Sequence, residues 1–253
     1  MNQDIQQSEL IFYLPLVASY VVACFLAYVI FKKNKVWGIP SVFEPQKPWQ
    51  ELVFAFIAVL CIFILGRIYD AGFLVSSRYN SIAWIINNLI IYSPIFILVT
   101  LRKQPMVTLW ISRKNLVLKV VTGFFCAFLG VFVFIALRGE IDRIGPILLK
   151  SISLDSIASF VAVFMEGVVV AFIFIRLKWV SNLKVALFVP GLLFALGHVP
   201  GMLAQSEPWW HIILMSIFTG FIAMFVLYTC NNIKDIVWLG IVHYFMDVAI
   251  NAF

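Results

Sequence analysis

The chain has 253 residues, of which 63% are hydrophobic and 12% charged, against roughly 45–50% and 25% in soluble domains. With a mean hydropathy of +1.04 and 25 phenylalanines, there are too few polar side chains to cover a water-exposed surface. An ordinary soluble globule is excluded, and an integral membrane protein remains. Eighteen Lys and Arg against 12 Asp and Glu give a net charge of +6, a balance that fits orientation against an anionic bilayer and needs no nucleic acid as partner.

A helical span takes about 20 apolar residues. Cutting the chain at its polar clusters predicts eight such spans, at 11–31, 51–69, 83–101, 116–137, 157–175, 185–203, 211–229 and 235–252. The expected fold is all-α, a polytopic membrane helix bundle of about eight transmembrane helices, in a single domain over residues 1–253. Strands fit poorly, because the apolar runs are continuous rather than alternating. Met1–Leu10 carries Asp4 and Glu9 but no basic residue before the first run. That is the wrong flank for a cleaved signal peptide, so the first span is expected to stay. The stretch 36–50, with Trp37, Pro40, Pro48 and Trp49, reads as an interfacial connection, as does 104–115 around Trp110. Cys24, Cys61, Cys126 and Cys230 stand singly in apolar runs and read as packing residues.

Assigning Lys and Arg to alternate sides groups thirteen together, among them Lys32, Lys33, Lys119, Arg176, Lys178, Lys184 and Lys234, against five opposite: Arg67, Arg78, Arg138, Arg143 and Lys150. The positive-inside rule then predicts both termini outside the cytoplasm.

A charged side chain at mid-bilayer costs about 2.5–3.5 kcal/mol on insertion scales, so such residues face a cavity or a partner. Four stand out: Glu166 in the fifth span, His198 in the sixth, and His243 and Asp247 in the eighth. Together their cost rivals the stability of a typical domain, which predicts that they converge on one polar site. His243, Asp247 and Asn251 recur every fourth residue, with Gly240 three before His243, making a stripe on one helix face. Phe194 lies four before His198; Gly197 and Gly201 flank the histidine as a close-approach pair, and Pro200 is expected to break the helix just beyond it. Ser216, Thr219, Gly220 and Ala223 read as a packing seam, Asn87 and Asn88 as packing hydrogen bonds, and His211 beside Glu207, Trp209 and Trp210 as an interfacial anchor. The Lys178–Lys184 cluster reads as orientation alone. For either intramembrane histidine, a helix-to-helix hydrogen bond is the competing structural role.

The order of these residues resembles the CAAX prenyl protease type II and bacteriocin-processing (Abi) family of intramembrane proteins. That family carries E-E-x-x-x-R, F-x-x-x-H and H-x-x-x-N/D on separate helices. The second pattern matches Phe194-Ala195-Leu196-Gly197-His198 and the third His243-Tyr244-Phe245-Met246-Asp247, within a family-like core of about residues 155–252. The first departs: FMEGVVVAFIFIRL has one acid, and the arginine position is Ala171 or Val170 according to whether Glu166 stands for the first or the second acid. Aligning Arg176-Leu177 with the usual downstream pair favours the second, which puts Met165 at the catalytic acid and makes the chain a non-catalytic relative.

The resemblance implies an endopeptidase acting on a membrane-associated peptide or protein in a bacterial plasma membrane. Glu166 is its base, His198 its partner, His243 the donor to the oxyanion and Asp247 the residue that orients it. A carboxylate and an imidazole in an apolar cavity suit this chemistry, because desolvation makes the carboxylate a better base than it is in water. No cofactor is required. Zinc is a second possibility, since two histidines and a carboxylate leave one open coordination position. A catalytically inactive scaffold or immunity protein is the alternative, supported by the missing acid and arginine. A proton-coupled transporter also uses Glu and His at depth, but no internal repeat is visible to support one.

Overall fold

The computed structural model describes the backbone of residues 3–35, 43, 45–72, 74 and 80–252, and the side chains of the same residues except 3–12 and 155. Trp37 and Pro40 of the expected interfacial connection, and Arg78 of the charge tally, lie outside the described residues, as do the side chains of Asp4 and Glu9.

The described chain is helical, in the order α1 (Gln3–Lys33), α2 (Pro48–Asp70), α3 (Ser81–Leu101), α4 (Leu116–Leu137), α5 (Ile144–Ser151), α6 (Leu154–Val180), α7 (Leu183–Ala204), α8 (Trp209–Ile233) and α9 (Val237–Ile250). Short 3-10 turns at Met106–Leu109 and Ile141–Arg143 precede α4 and α5. The starts follow local chemistry. Asn80, Ser153 and Asn182 each accept a backbone N–H of the first turn they precede, satisfying donors that a helix leaves open.

Among the described residues, seven helices are long and apolar enough to cross a membrane. The eighth expected span is shorter: α9 has 14 residues, about 21 Å at the usual rise against a hydrocarbon core of about 30 Å. It starts late because Asp235 Oδ1 accepts the Val237 N–H and the Asp235 carbonyl accepts the Trp238 indole. It is also buried on nearly every side, from Trp238 to Ala249, so its length is matched to protein neighbours rather than to lipid.

The bundle is built around α6, which packs on α2, α3, α7 and α9, while α9 lies against α4 and α1 lies against α4 and α8. Glycines set the tightest crossings. A Cβ at Gly123 would stand 2.8 Å from Ile241 Cδ1 and 3.0 Å from the Trp238 carbonyl oxygen, so α4 and α9 meet backbone to side chain. Gly240 accommodates the Phe164 ring in the same way between α9 and α6. The α7–α8 seam runs through Gly191, Ala195 and Gly220, as the Gly220 and Ala223 stripe predicts. The expected pair Gly197 and Gly201, in contrast, has nothing within 4 Å of a built Cβ, and α7 continues as helix through Pro190 and Pro200. The expected break after His198 does not occur, and α7 runs on to Ala204, since a membrane helix tolerates an internal proline.

At one end of the bundle lies a buried polar clamp that no short motif announces. Glu51 accepts Arg102 Nη2 at 2.6 Å and Gln104 Nε2 at 2.6 Å. Arg176 donates to the Gln104 side-chain oxygen at 2.5 Å and to the Thr108 carbonyl at 2.6 Å, with its guanidinium 3.9 Å over the Phe172 ring. Next to it the fully buried Lys119 and Asp235 form an ion pair at 2.5 Å, and Lys119 also donates to the Ser112 carbonyl. The connection 104–115, between the ends of two spans, is in part wedged into the bundle, with Thr108, Leu109 and Trp110 buried. A buried ion pair is a weak source of net stability, but removing one partner costs about 3–5 kcal/mol.

Candidate functional site

The α6 residues Glu166, Val169, Val170 and Ile173 recur at helical spacing, as do Pro190, Leu193, Phe194, Gly197 and His198 on α7. The two faces line a cleft of about 280 Å³ together with Val59, Ile62 and Phe63 of α2 and Tyr92 of α3. α2 packs on α3 and α6, whereas α7 packs on α6 and α8. The cleft thus lies where α2 and α7 face each other across α6. Glu166 and His198 share it; the glutamate is half-buried and the histidine exposed.

His243 lies behind this cleft. It lines a smaller pocket of about 60 Å³ with Tyr20, Cys230 and Leu239, and Val170 and Phe194 wall both spaces. The Phe194 ring joins the two histidines, edge-on to His198 at 4.8 Å and to His243 at 6.1 Å between centroids. The four-residue spacing of F-x-x-x-H produces the first of these contacts, since it stacks the two side chains one turn apart. Asp247, one turn beyond His243 and half-buried, lies close enough to Glu166 for the two carboxylates to interact, as do His198 and His243. Asn251 donates from its side chain to the Asp247 carbonyl, which continues the polar stripe to the helix end.

Three of the four expected residues therefore line two adjoining pockets rather than one cavity, Glu166 and His198 the cleft and His243 the pocket behind it, while Asp247 lines neither; none hydrogen-bonds another among the described residues. No group of three or more His, Cys, Asp or Glu is assembled to hold a metal ion among those residues. At the first motif, Glu166 faces the cleft while Met165 packs against the apolar core. Both positions where the family resemblance expects arginine, Val170 and Ala171, form apolar wall beside His243. Arg176 belongs to the clamp, 2.5 Å from Gln104, and is committed to structure.

Two tyrosines escaped the sequence reading. Tyr92 lines the cleft beside Glu166, and Tyr20, buried, lines the pocket of His243. The signal that marks them is faint: a hydroxyl-bearing aromatic within an apolar span, where phenylalanine is the commoner choice in this chain. Asn88 and His211 behave as the packing and anchoring groups expected of them. Asn88 donates to the Trp84 carbonyl at 2.9 Å. His211 bonds Glu207 through Nδ1 at 2.8 Å and Tyr13 through Nε2 at 3.0 Å, tying α8 to α1. All four cysteines are free thiols, three of them buried.

Comparison of the chain with family models, with curated protein sequences and with solved structures returned no match.

Proposed function

We propose that the protein is an intramembrane endopeptidase of the CAAX protease and bacteriocin-processing type. The observation that carries this reading is the shared cleft: the only acid of the degenerate first motif, Glu166, lines it together with His198, while Met165 packs against the core. That orientation supports the assignment of Glu166 to the family's first acid, which keeps a base at the site, over the alignment that puts Met165 there.

In the proposed reaction Glu166, partnered by His198, takes a proton from water, and the resulting hydroxide attacks the scissile carbonyl carbon. His243 donates to the oxyanion from the adjoining pocket, with Asp247 orienting it. Collapse of the tetrahedral intermediate breaks the C–N bond, and the proton held by Glu166 passes to the departing amine. The substrate is a membrane-associated peptide or protein that enters between α2 and α7, and the setting is a bacterial plasma membrane.

A second reading, an inactive relative serving as membrane scaffold or immunity protein, draws on the apolar residues at both arginine positions and on the separation of His243 from the cleft. The two readings part in a cleavage assay. Purified protein in proteoliposomes is incubated with a library of membrane-inserting peptides, with and without a strong chelator. The protease reading expects wild-type cleavage unchanged by the chelator. Cleavage lost with the chelator and restored by zinc would move the chemistry to a metal mechanism, and no cleavage of any peptide would favour the scaffold.

A further inference from the structure

The clamp end of the bundle holds two cations that the proposed chemistry does not use. Lys178, near the end of α6, and Lys234, directly after α8, both donate to one acceptor: Nζ of Lys178 lies 3.0 Å and Nζ of Lys234 2.8 Å from Asn231 Oδ1. The two ammonium groups are therefore no more than about 6 Å apart. No carboxylate lies within ion-pair distance of either among the described residues. The nearest acid in sequence, Asp235, has its carboxylate taken by Lys119 and the Val237 N–H.

Like charges drawn together repel, and a single neutral amide oxygen does not balance two ammonium groups. The aromatic neighbours attract each ammonium only weakly and supply no counter-charge. Lys178 Nζ sits 6.0 Å over the Phe174 ring and Lys234 Nζ 5.9 Å over the Trp110 ring, and those two rings pack on each other at 5.0 Å. Both rings are buried, so the lysines stand on an aromatic floor with one side open, Lys178 being exposed and Lys234 half-exposed. Burial, with the Lys178 charge adding to it, brings the Lys234 ammonium down to about 8. Backbone geometry fixes the arrangement, since Lys234 adopts a left-handed conformation at φ 59°, one that a lysine rarely takes without support.

We propose that Lys178, Lys234 and Asn231 form a binding site for a phosphate group, with one anionic oxygen received by each ammonium. Ammonium-to-phosphate hydrogen bonds run about 2.7–2.9 Å, so two nitrogens at this spacing reach separate oxygens of one phosphate. Both lysines lie at the ends of membrane-spanning helices, the depth of lipid headgroups. The phosphodiester of an anionic phospholipid is thus the favoured source, and free phosphate is the other source of the same chemistry. Neither source bears on the proposed hydrolysis, and the site stands whether or not that reading holds.

The test is native mass spectrometry of the whole purified protein in detergent, titrated with phosphatidylglycerol or with phosphatidylcholine of the same chains. Each lysine near an anionic surface contributes about fivefold, so the pair predicts a preference for phosphatidylglycerol of roughly 25-fold. Lys178→Gln with Lys234→Gln removes that preference. Lys114→Gln with Lys184→Gln, two exposed lysines that make no such pair, leaves it within about twofold. Displacement of the lipid by millimolar inorganic phosphate, in wild type but not in the Lys178/Lys234 variant, supports the site and makes soluble phosphate a source as well. Equal retention of phosphatidylglycerol by wild type and that variant overturns the proposal. Heat denaturation without lipid guards against a folding defect. Relief of repulsion leaves the Lys178/Lys234 variant at least as stable as wild type, whereas a drop in its Tm assigns the two lysines a structural role and overturns the site.

Discussion

Lys234 shows how one residue's setting converts to a measurable pH dependence. Its ammonium is held down to about 8 from the ordinary 10.5, first by burial and then by Lys178, while the neighbouring Asp235 is already paired with Lys119. Between those two values the unfolded chain binds more protons than the folded one, so folding stability rises with pH across that window. A series of Tm measurements in detergent from pH 7.5 to 10.5 on wild type and Lys234→Gln checks this. The wild-type curve gains on the variant as pH climbs through about 8, and parallel curves would contradict the assigned environment. At the same scale, the polar residues at membrane depth were legible because each is so costly in lipid. Glu166, His198, His243 and Asp247 are marked by that cost alone. Glu51, Arg102, Gln104 and Arg176 are not, because their partners lie 51 to 72 residues away and each sits near a helix end, where a charge looks like ordinary orientation.

Among the helices, glycine positions separate packing from function. Gly123 and Gly197 are both helical, but a side chain at Gly123 collides with Ile241 and the Trp238 carbonyl, while one at Gly197 meets nothing within 4 Å and projects into the cleft beside Glu166 and His198. Gly123→Leu is therefore expected to destabilise the α4–α9 contact by about 1–3 kcal/mol or more. Gly197→Leu is expected to leave Tm within about 1 °C while filling the cleft and abolishing cleavage; the Tm limit follows from the absence of any overpacked neighbour. Paired Tm and cleavage measurements on the two variants decide it, and full activity in Gly197→Leu would remove the cleft from the account. The same comparison explains why spacing misplaced the α7 side of the tight seam. Small residues four apart occur twice on α7, at Gly191 and Ala195 and at Gly197 and Gly201. Only the first pair meets Gly220 of the neighbouring helix, a fact of three-dimensional register that spacing does not encode. The length of α9 was hidden for a related reason: an apolar run reads alike whether lipid or protein surrounds it.

For the molecule as a whole, the helical plan was legible because long apolar runs leave few alternatives in a membrane. Five of the tallied basic residues can be placed by their partners. Lys119, Arg176, Lys178 and Lys234 meet at one end, while Arg143 bonds the Ala252 carbonyl at the other. The positive-inside rule predicts that the lysine-rich end faces the cytoplasm. Single cysteines placed at residue 182 and at residue 140, in a chain with its four native cysteines replaced, test the orientation with an impermeant thiol reagent. Labelling at 140 from outside intact cells, and at 182 only after lysis, is the expected pattern; the reverse would invert the protein and the face to which its site opens.

The central claim is that Glu166 is the surviving catalytic acid. Glu166→Gln is nearly isosteric and cannot act as a base, so it isolates chemistry from packing. Turnover of a cleaved membrane peptide by wild type and Glu166→Gln in proteoliposomes, at matched Tm, is the direct measurement. Loss of a general base predicts a fall of about 10²- to 10⁴-fold. An unchanged rate in Glu166→Gln, with His198→Ala and His243→Ala also silent, would contradict the account and leave the scaffold reading in its place.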